Sequence, residues 1–316
     1  MLASDSPKLG SIRDFLTQPH LGGKIVFAIK AKKGTTELSY AKLTQDTVDD
    51  YRNQFTRLLD KMSERKPVPY GLSDFDSDTY QYLPSTQIPH ARDFLGDPQV
   101  ALQQLDHEFI SAIKFTEFRF QNTKGDVIGV FKIYLKTGFL TSQNRFKFIF
   151  QDSVLTPFTK DIIIAPPRFD CILLEDVIYI FNRPNFEKIF DYKRVFQEKA
   201  TEVFVYFAKP HGYTVEGLDE IEQKCMKSRS KMRRLAIIAQ GRLYKSLTFD
   251  KVASFCKVKE LNDPILDSRK KIMKFLTPEA FLRIFDEDYV RGELTGTEYI
   301  STRKTLFKTP GKKKSV

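Results

Sequence analysis

The sequence predicts an α+β fold: a mostly antiparallel sheet in the middle of the chain, a helical C-terminal region after it, and a smaller α/β region at the N-terminus. Between residues 115 and 152, apolar side chains alternate with polar ones, as they do in strands. Before and after this part, apolar residues recur at helical spacing. Hydrophobic residues make up 41% of the 316 residues, so the chain can bury a substantial core.

The N-terminal region is predicted to begin with a β-hairpin followed by an amphipathic helix. Residues rich in proline then predict an irregular connection, because proline cannot donate a backbone hydrogen bond. The predicted elements are strands at 24–33 and 37–44, a helix from Thr44 or Asp46 to about Met62, an irregular connection at 64–98, and a helix from Asp97-Pro98 to about Ile113.

Three stretches in the middle alternate with period two: TEFRFQN, DVIGVFKIYLK and NRFKFIFQD. Successive side chains of a strand point to opposite faces, so we expect phenylalanines on one face of the sheet and cations on the other. The residues expected on the basic face are Arg119, Lys132, Tyr134, Lys136, Arg145 and Lys147. The stretches DIIIA, FDCILL and VIYIFN are predicted to extend this sheet, with a tight turn at Glu175-Asp176.

The rest of the chain is predicted to be mostly helical. The predicted elements are a long helix from Pro184 to about Ala208, capped by Asn182 or Asn185, helices at 214–224, 228–246, 248–257 and 278–285, a short hairpin in DYVRGELTGTEYIS, and a basic tail. Residues 1–110 contain slightly more acidic than basic residues, so the whole net charge of +11 comes from the remainder. We therefore expect three regions: 1–113, 114–305 and the tail 306–316.

Several classes of protein lack support in the sequence. There is no P-loop, no dinucleotide-binding glycine motif, and no pair of histidines or cysteines at metal-ligand spacing. The sequence therefore predicts no catalytic residue, no metal and no cofactor. The N-terminus lacks a signal-peptide pattern and no stretch is apolar enough to span a membrane, so we expect a soluble cytoplasmic protein with three reduced cysteines.

A stretch of helical length, KCMKSRSKMRRLAIIAQGRLYK, contains eight basic residues and no acidic one. On a helical projection its apolar residues gather on one side and its cations on a neighbouring side. The cations expected on that basic face are Lys227, Lys231, Arg234, Arg242 and Lys245. Such a face is either simply exposed to water or binds a negatively charged partner. No base-reading motif is present, so DNA binding through this helix or the basic sheet face is expected to be nonspecific.

Two alternatives remain at this point. In the first, the chain is a metal-dependent nuclease that uses Asp170, although Asp170 more simply accepts hydrogen bonds from a neighbouring loop or pairs with Arg168. Otherwise, its basic surface docks on acidic loops of a membrane protein or on anionic lipid.

The stretches GFLTSQNRFKFIF and APPRFDCILLEDVIYIFNRPNFEKIFDY, with LRIFDEDYVRGELTGTEYIS near the C-terminus, resemble the KwaB family of the Kiwa anti-phage defence system. These motifs look structural, so no catalytic residue is transferred. The resemblance implies a homodimer at the inner face of the cell membrane, held there by the membrane protein KwaA. It also implies DNA binding that blocks phage replication or late transcription.

Overall fold

The computed structural model describes residues 8–30, 36–72, 78–88, 95–98, 100–102, 107–134, 139–140, 148–151, 154–157, 162–163, 167–209, 211–241, 243–286, 289–291 and 298–300. The chain divides into two compact units. The first unit is Met1–Tyr70 with Asp76–Phe190, and the second is Gly71–Phe75 with Asp191–Val316.

The first unit is built on a large sheet. Its described elements are α1 (Leu9–Thr17), β1 (His20–Lys30), β2 (Thr36–Lys42), α2 (Gln45–Asp60), β3 (Lys66–Pro69), β4 (Thr79–Pro84), β5 (Val100–Ala101), α3 (His107–Ala112), β6 (Ile113–Asn122), β7 (Val127–Ile133), β8 (Phe139–Leu140), β9 (Phe148–Gln151), β10 (Val154–Pro157), β11 (Ile162–Ile163), β12 (Cys171–Leu174), β13 (Val177–Ile180) and α4 (Arg183–Ile189).

Nine strands form the main sheet in the order β3-β4-β13-β12-β7-β6-β1-β2-β5. All neighbours are antiparallel except β2 with β5 and β3 with β4. One face packs against α1 and α2 through a core that includes Phe55, Phe118 and Phe120. The other face buries Phe131, whose ring contacts Phe190 just after α4. The predicted α+β class with a mostly antiparallel sheet is confirmed.

The expected boundary between residues 113 and 114 is not where the compact units divide. Strand β1, from the expected first region, pairs along most of its length with β6, from the expected second region. Net charge describes the surface of a chain, whereas strand pairing decides which segments fold together. The acidic and basic parts of the sequence therefore share one sheet. The expected tail, 306–316, lies outside the described residues.

Three predictions in the first unit are wrong in detail. Residues 64–98 include the strands β3 and β4, and part of the helix expected from Asp97 to Ile113 is instead the strand β5, while the described helix is His107–Ala112. The described residues of NRFKFIFQD and DIIIA do not extend the main sheet, because β9 pairs with β10 and β8 pairs with β11 as separate two-stranded sheets. The hairpin turn at Glu175-Asp176 is confirmed, with Glu175 at a left-handed φ of 54°.

The second unit is mainly helical. Its described elements are α5 (Tyr192–Phe207), β14 (Thr214–Glu216), α6 (Leu218–Met226), α7 (Arg229–Gly241), a 3₁₀ turn (Leu243–Ser246), α8 (Phe249–Val258), β15 (Ile265–Asp267), β16 (Ile272–Lys274), α9 (Pro278–Asp286), β17 (Tyr289–Arg291) and β18 (Glu298–Ile300). Within the described residues, no helix combines the length and apolar character needed to cross a bilayer.

The long helix expected from Pro184 to Ala208 is two helices. Asn182 caps α4 by accepting from the backbone of Asn185, and α4 ends at Ile189. Asp191 then adopts a left-handed φ of 48°, which a continuing α-helix does not allow. The break falls where the two units divide.

The core of the second unit contains a cluster of phenylalanine rings. Phe207 lies 4.4 Å from Phe285 and 5.3 Å from Phe281, measured between ring centroids. The apolar side of α7 also packs inward, and the predicted core residues Met232, Leu235, Ala236 and Ala239 are all buried. The predicted hairpin near the C-terminus is confirmed by the pairing of β17 with β18.

Candidate nucleic-acid interface

The basic sheet face expected from the sequence does not exist as a single face. Strands β6 and β7 pair so that Arg119 lies opposite Gly129, and Lys132 lies opposite Thr116. Directly paired residues share a face, so Arg119 and Lys132 point to opposite sides of the sheet. The alternation within each strand is as predicted, but the register between the strands brings phenylalanines and cations together on both faces.

Arg119 is a buried residue that bonds to the protein's own carboxylates. Its side chain is only 10% exposed. Its Nε lies 2.9 Å and its Nη2 2.7 Å from the two oxygens of Glu117, and Nη1 lies 2.7 Å from Asp97. Burial raises the pKa of Glu117, and the bonds from Arg119 oppose that shift. The donors of Arg119 are used inside the fold, which argues against the expectation that Arg119 contacts phosphates.

Asp170 is buried in the first unit, and the half-buried Lys132 lies beside it. The side chain of Lys132 is 17% exposed, and its Nζ lies 3.9 Å from Asp170. The Asp170 carboxylate accepts from the backbone N–H of Ile133 at 2.7 Å and from the side chain of Asn185 at 2.8 Å. Asp170 thus ties β7 to α4 as an acceptor of hydrogen bonds, although these donors lie on a strand and a helix rather than on a loop.

Four of the expected contact residues cannot be placed. Lys136, Arg145, Lys147 and Arg242 lie outside the described residues. The sequence hypothesis for these four stays a prediction.

The basic stretch is not one helix. α6 ends at Met226, α7 extends from Arg229 to Gly241, and Lys245 lies in the 3₁₀ turn beyond it. The expected continuous basic face from Lys227 to Lys245 is therefore interrupted at both ends of α7.

Several cations of this stretch contact their own unit. Lys231 forms a 2.6 Å ion pair with Glu279 of α9, and Lys224 lies 3.9 Å from Glu220. Arg233 donates to the carbonyl oxygen of Leu72, and the guanidinium of Arg229 lies over the ring of Phe196. Arg234 is half-buried. The pKa of Glu279 is lowered, chiefly by its hydrogen bond with Lys231. The absence of acidic residues within the stretch itself did not reveal the pairing of Lys231 with Glu279, which comes from a distant segment.

Lys227 and Lys245 are the two expected residues of this stretch that the structure shows to be exposed. Neither forms an ion pair with any carboxylate of the described residues. They lie before and after α7 respectively, so they are separate points of positive charge.

A second exposed group of cations lies at the tip of a hairpin. β15 and β16 pair antiparallel, and the four-residue loop between them contains Arg269, Lys270 and Lys271 in succession. All three are exposed, and within the described part of the chain no carboxylate forms an ion pair with them. We call this loop, 268–271, the hairpin tip.

The backbone of the hairpin tip is held in place. Asp267 accepts from the backbone N–H groups of Arg269 and Lys270, each at 3.0 Å. The carbonyl oxygen of Lys271 accepts from Thr214 of β14 at 3.0 Å, and Lys271 itself has a left-handed φ of 52°. The side chains project from a fixed loop, so only their own rotamers remain to be ordered by a ligand.

The charge of residues 269–271 does not by itself predict the hairpin tip, but the neighbouring residues do. Asp267-Ser268 follows the apolar pair Ile265-Leu266, and Ile272-Met273 follows the cations, which is the pattern of a hairpin with a polar loop.

The described residues offer no metal centre. Among them, no group of three or more histidine, cysteine, aspartate or glutamate side chains is close enough to hold an ion. The three cysteines are unpaired and buried, and burial raises the pKa of Cys225 to about 11. Such thiols are poor nucleophiles.

The sequence matches a known protein family. The family model described as "Kiwa protein KwaB-like" matches residues 110–295, which is more than half of the chain and includes both β6 and the hairpin tip. Comparisons with curated proteins and with solved structures give no match. The family implies a component of the Kiwa anti-phage defence system. This chain therefore belongs to the KwaB-like family of Kiwa proteins.

Proposed function

We propose that this protein is the DNA-binding effector of a Kiwa system, and that it acts by occupying DNA to block phage replication or late transcription. The observation that supports this most directly is the hairpin tip, with three adjacent exposed cations on a fixed backbone. Lys227 and Lys245 supply further exposed charge in the same unit.

Cations arranged in this way suit a phosphate backbone. Each cation that neutralises a phosphate releases a condensed counterion, which favours binding whatever the DNA sequence. Lysine and arginine at a loop tip reach phosphates without presenting a base-reading helix, so we expect little sequence preference.

The effector is proposed to work with a membrane partner. The Kiwa system also includes KwaA. We expect a homodimer of this chain to associate with KwaA at the inner face of the membrane, while the cations of the second unit remain free for DNA. Co-purification of tagged KwaA with this protein tests the association, and recovery of neither partner with the other would contradict it.

The test of DNA binding is removal of charge at the hairpin tip. In the variant Arg269→Gln/Lys270→Gln/Lys271→Gln the backbone bonds to Asp267 can persist, because they involve main-chain N–H groups. We expect a loss of DNA affinity of at least tenfold at physiological salt and weaker protection against phage.

A matched control removes the same charge elsewhere. Lys42, Lys61 and Lys124 are exposed residues of the first unit. Their triple replacement by glutamine should leave DNA affinity within about twofold of the wild type. Equal losses in the two variants would mean that only net charge matters, and would contradict a site at the hairpin tip.

A further inference from the structure

An aromatic stack lies at the C-terminal end of α5, in the second unit. The ring of His211 lies parallel to the ring of Tyr206, with centroids 3.8 Å apart and an interplanar angle of 6°. The ring of Tyr244 meets Tyr206 edge-on at 4.9 Å. Tyr244 is buried, Tyr206 is half-buried and His211 is exposed, so the histidine forms the solvent end of the stack.

The orientation of the His211 ring is fixed by two contacts. Its Nε2 lies 2.9 Å from the carbonyl oxygen of Tyr206. A carbonyl oxygen only accepts, so Nε2 carries the hydrogen in this bond. Together with the stacking on Tyr206, this bond holds an exposed aromatic ring in one position, which lowers the entropy lost when a second flat group stacks on it.

Exposed cations lie near this stack. Lys245 places its Nζ 5.8 Å from the centre of the Tyr244 ring. Thr214, which bonds to the carbonyl of Lys271 in the hairpin tip, is only three residues after His211. Three residues span at most about 11 Å, so the stack and the hairpin tip belong to one neighbourhood.

From this arrangement we infer that the His211 ring stacks on an unpaired nucleobase, while Lys245 and the hairpin tip bind flanking phosphates. Aromatic rings interleaved with cations are typical of sites for single strands, because a base in a duplex already stacks on its neighbours. The inference rests on the proposed function and makes it more specific: the ligand is single-stranded DNA.

The test uses a fluorescent base analogue, 2-aminopurine, placed in the middle of a 15-nucleotide strand. Stacking on an aromatic ring quenches this fluorophore. We expect the wild-type protein to quench it, and His211→Ala to lose the quenching and about 5- to 150-fold of affinity for the strand. Affinity for a duplex of the same length should change less than twofold.

A second variant separates stacking from the structural bond. His211→Phe keeps a flat ring but cannot donate to Tyr206, so it should retain the quenching and most of the affinity for the single strand. The melting temperature of each variant shows whether it folds. If neither variant folds, the quenching measured with the wild-type protein still tests the stacking.

The outcomes separate this inference from the proposed function. If the wild type binds DNA but does not quench the analogue, or if His211→Ala weakens single strands and duplexes equally, the stacking site is wrong while DNA binding stands. If the wild type binds neither form of DNA, both proposals fail.

Discussion

Replacing Arg119 by methionine separates a structural role from a role in DNA binding. The substitution keeps an apolar side chain of similar length but removes the guanidinium. In the wild type the guanidinium makes bidentate hydrogen bonds to Glu117 and one further hydrogen bond to Asp97. The Glu117 side chain is 2% exposed, so the variant leaves a buried carboxylate without its main partner. Breaking a buried ion pair in this way costs about 3–5 kcal/mol. The bond to Asp97, an exposed partner, adds less than about 1 kcal/mol.

We therefore expect Arg119→Met to lower the free energy of unfolding by at least about 3 kcal/mol. Urea denaturation followed by circular dichroism measures this loss. The double variant Glu117→Gln/Arg119→Met should recover part of it, because the uncompensated charge is gone. DNA affinity of the folded variant should stay within about twofold of the wild type.

One result would refute this reasoning. If Arg119→Met lost less than about 1 kcal/mol while its DNA affinity fell about tenfold, Arg119 would be a phosphate contact and the buried pair would be unimportant.

Three further substitutions test other contacts. Asp170→Ala should cost about 2–4 kcal/mol in urea denaturation, because two partly buried donors lose the buried carboxylate that accepts from them; a wild-type nuclease activity that this variant abolishes would contradict the structural role. Gly129→Ala should cost about 1–3 kcal/mol in the same assay, since the added Cβ would lie 2.5 Å from the Glu117 carboxylate, and unchanged stability would contradict that packing. The lowered pKa of Glu279 means that its pairing with Lys231 stabilises the fold fully above the ordinary carboxyl pKa and ceases to do so as the pH falls through the lowered value. Denaturation between pH 7 and 3 measures how the free energy of unfolding depends on pH. Because both side chains are partly exposed, Glu279→Gln should reduce the difference between these two pH values by only about 1 kcal/mol or less. A profile unchanged from the wild type would contradict the pairing.

Much of the fold was predictable because its signals are local. The helix Gln45–Asp60 was predicted within about two residues, since Thr44 caps it and its apolar residues recur at helical spacing. β3 and β4 were not predicted because they pair in parallel, so no hairpin pattern marks them. The prolines of β3 also indicated a loop. Proline is compatible with β3 because this strand lies at the edge of the sheet. The break at Asp191 was missed because no proline or glycine marks it.

The candidate site was less predictable, since its geometry depends on contacts between distant segments. Alternation along one strand shows which residues share a face, but only the register between β6 and β7 shows whether Arg119 and Lys132 do. Likewise, no pattern within the basic stretch indicates that Lys231 pairs with Glu279 of α9. Lys227 and Lys245 remain candidates because no described carboxylate pairs with them.

The most direct test of the central claim is the salt dependence of DNA affinity. If Lys227, Lys245, Arg269, Lys270 and Lys271 each neutralise one phosphate, a plot of log K against log salt concentration should have a slope of about −4.5 for duplex DNA and about −3.5 for a single strand. Removing the three charges of the hairpin tip should bring the slope to about −1.8 for the duplex and about −1.4 for the single strand. A slope near zero for the wild type, or a slope that the hairpin variant leaves unchanged, would contradict binding of phosphates by these cations.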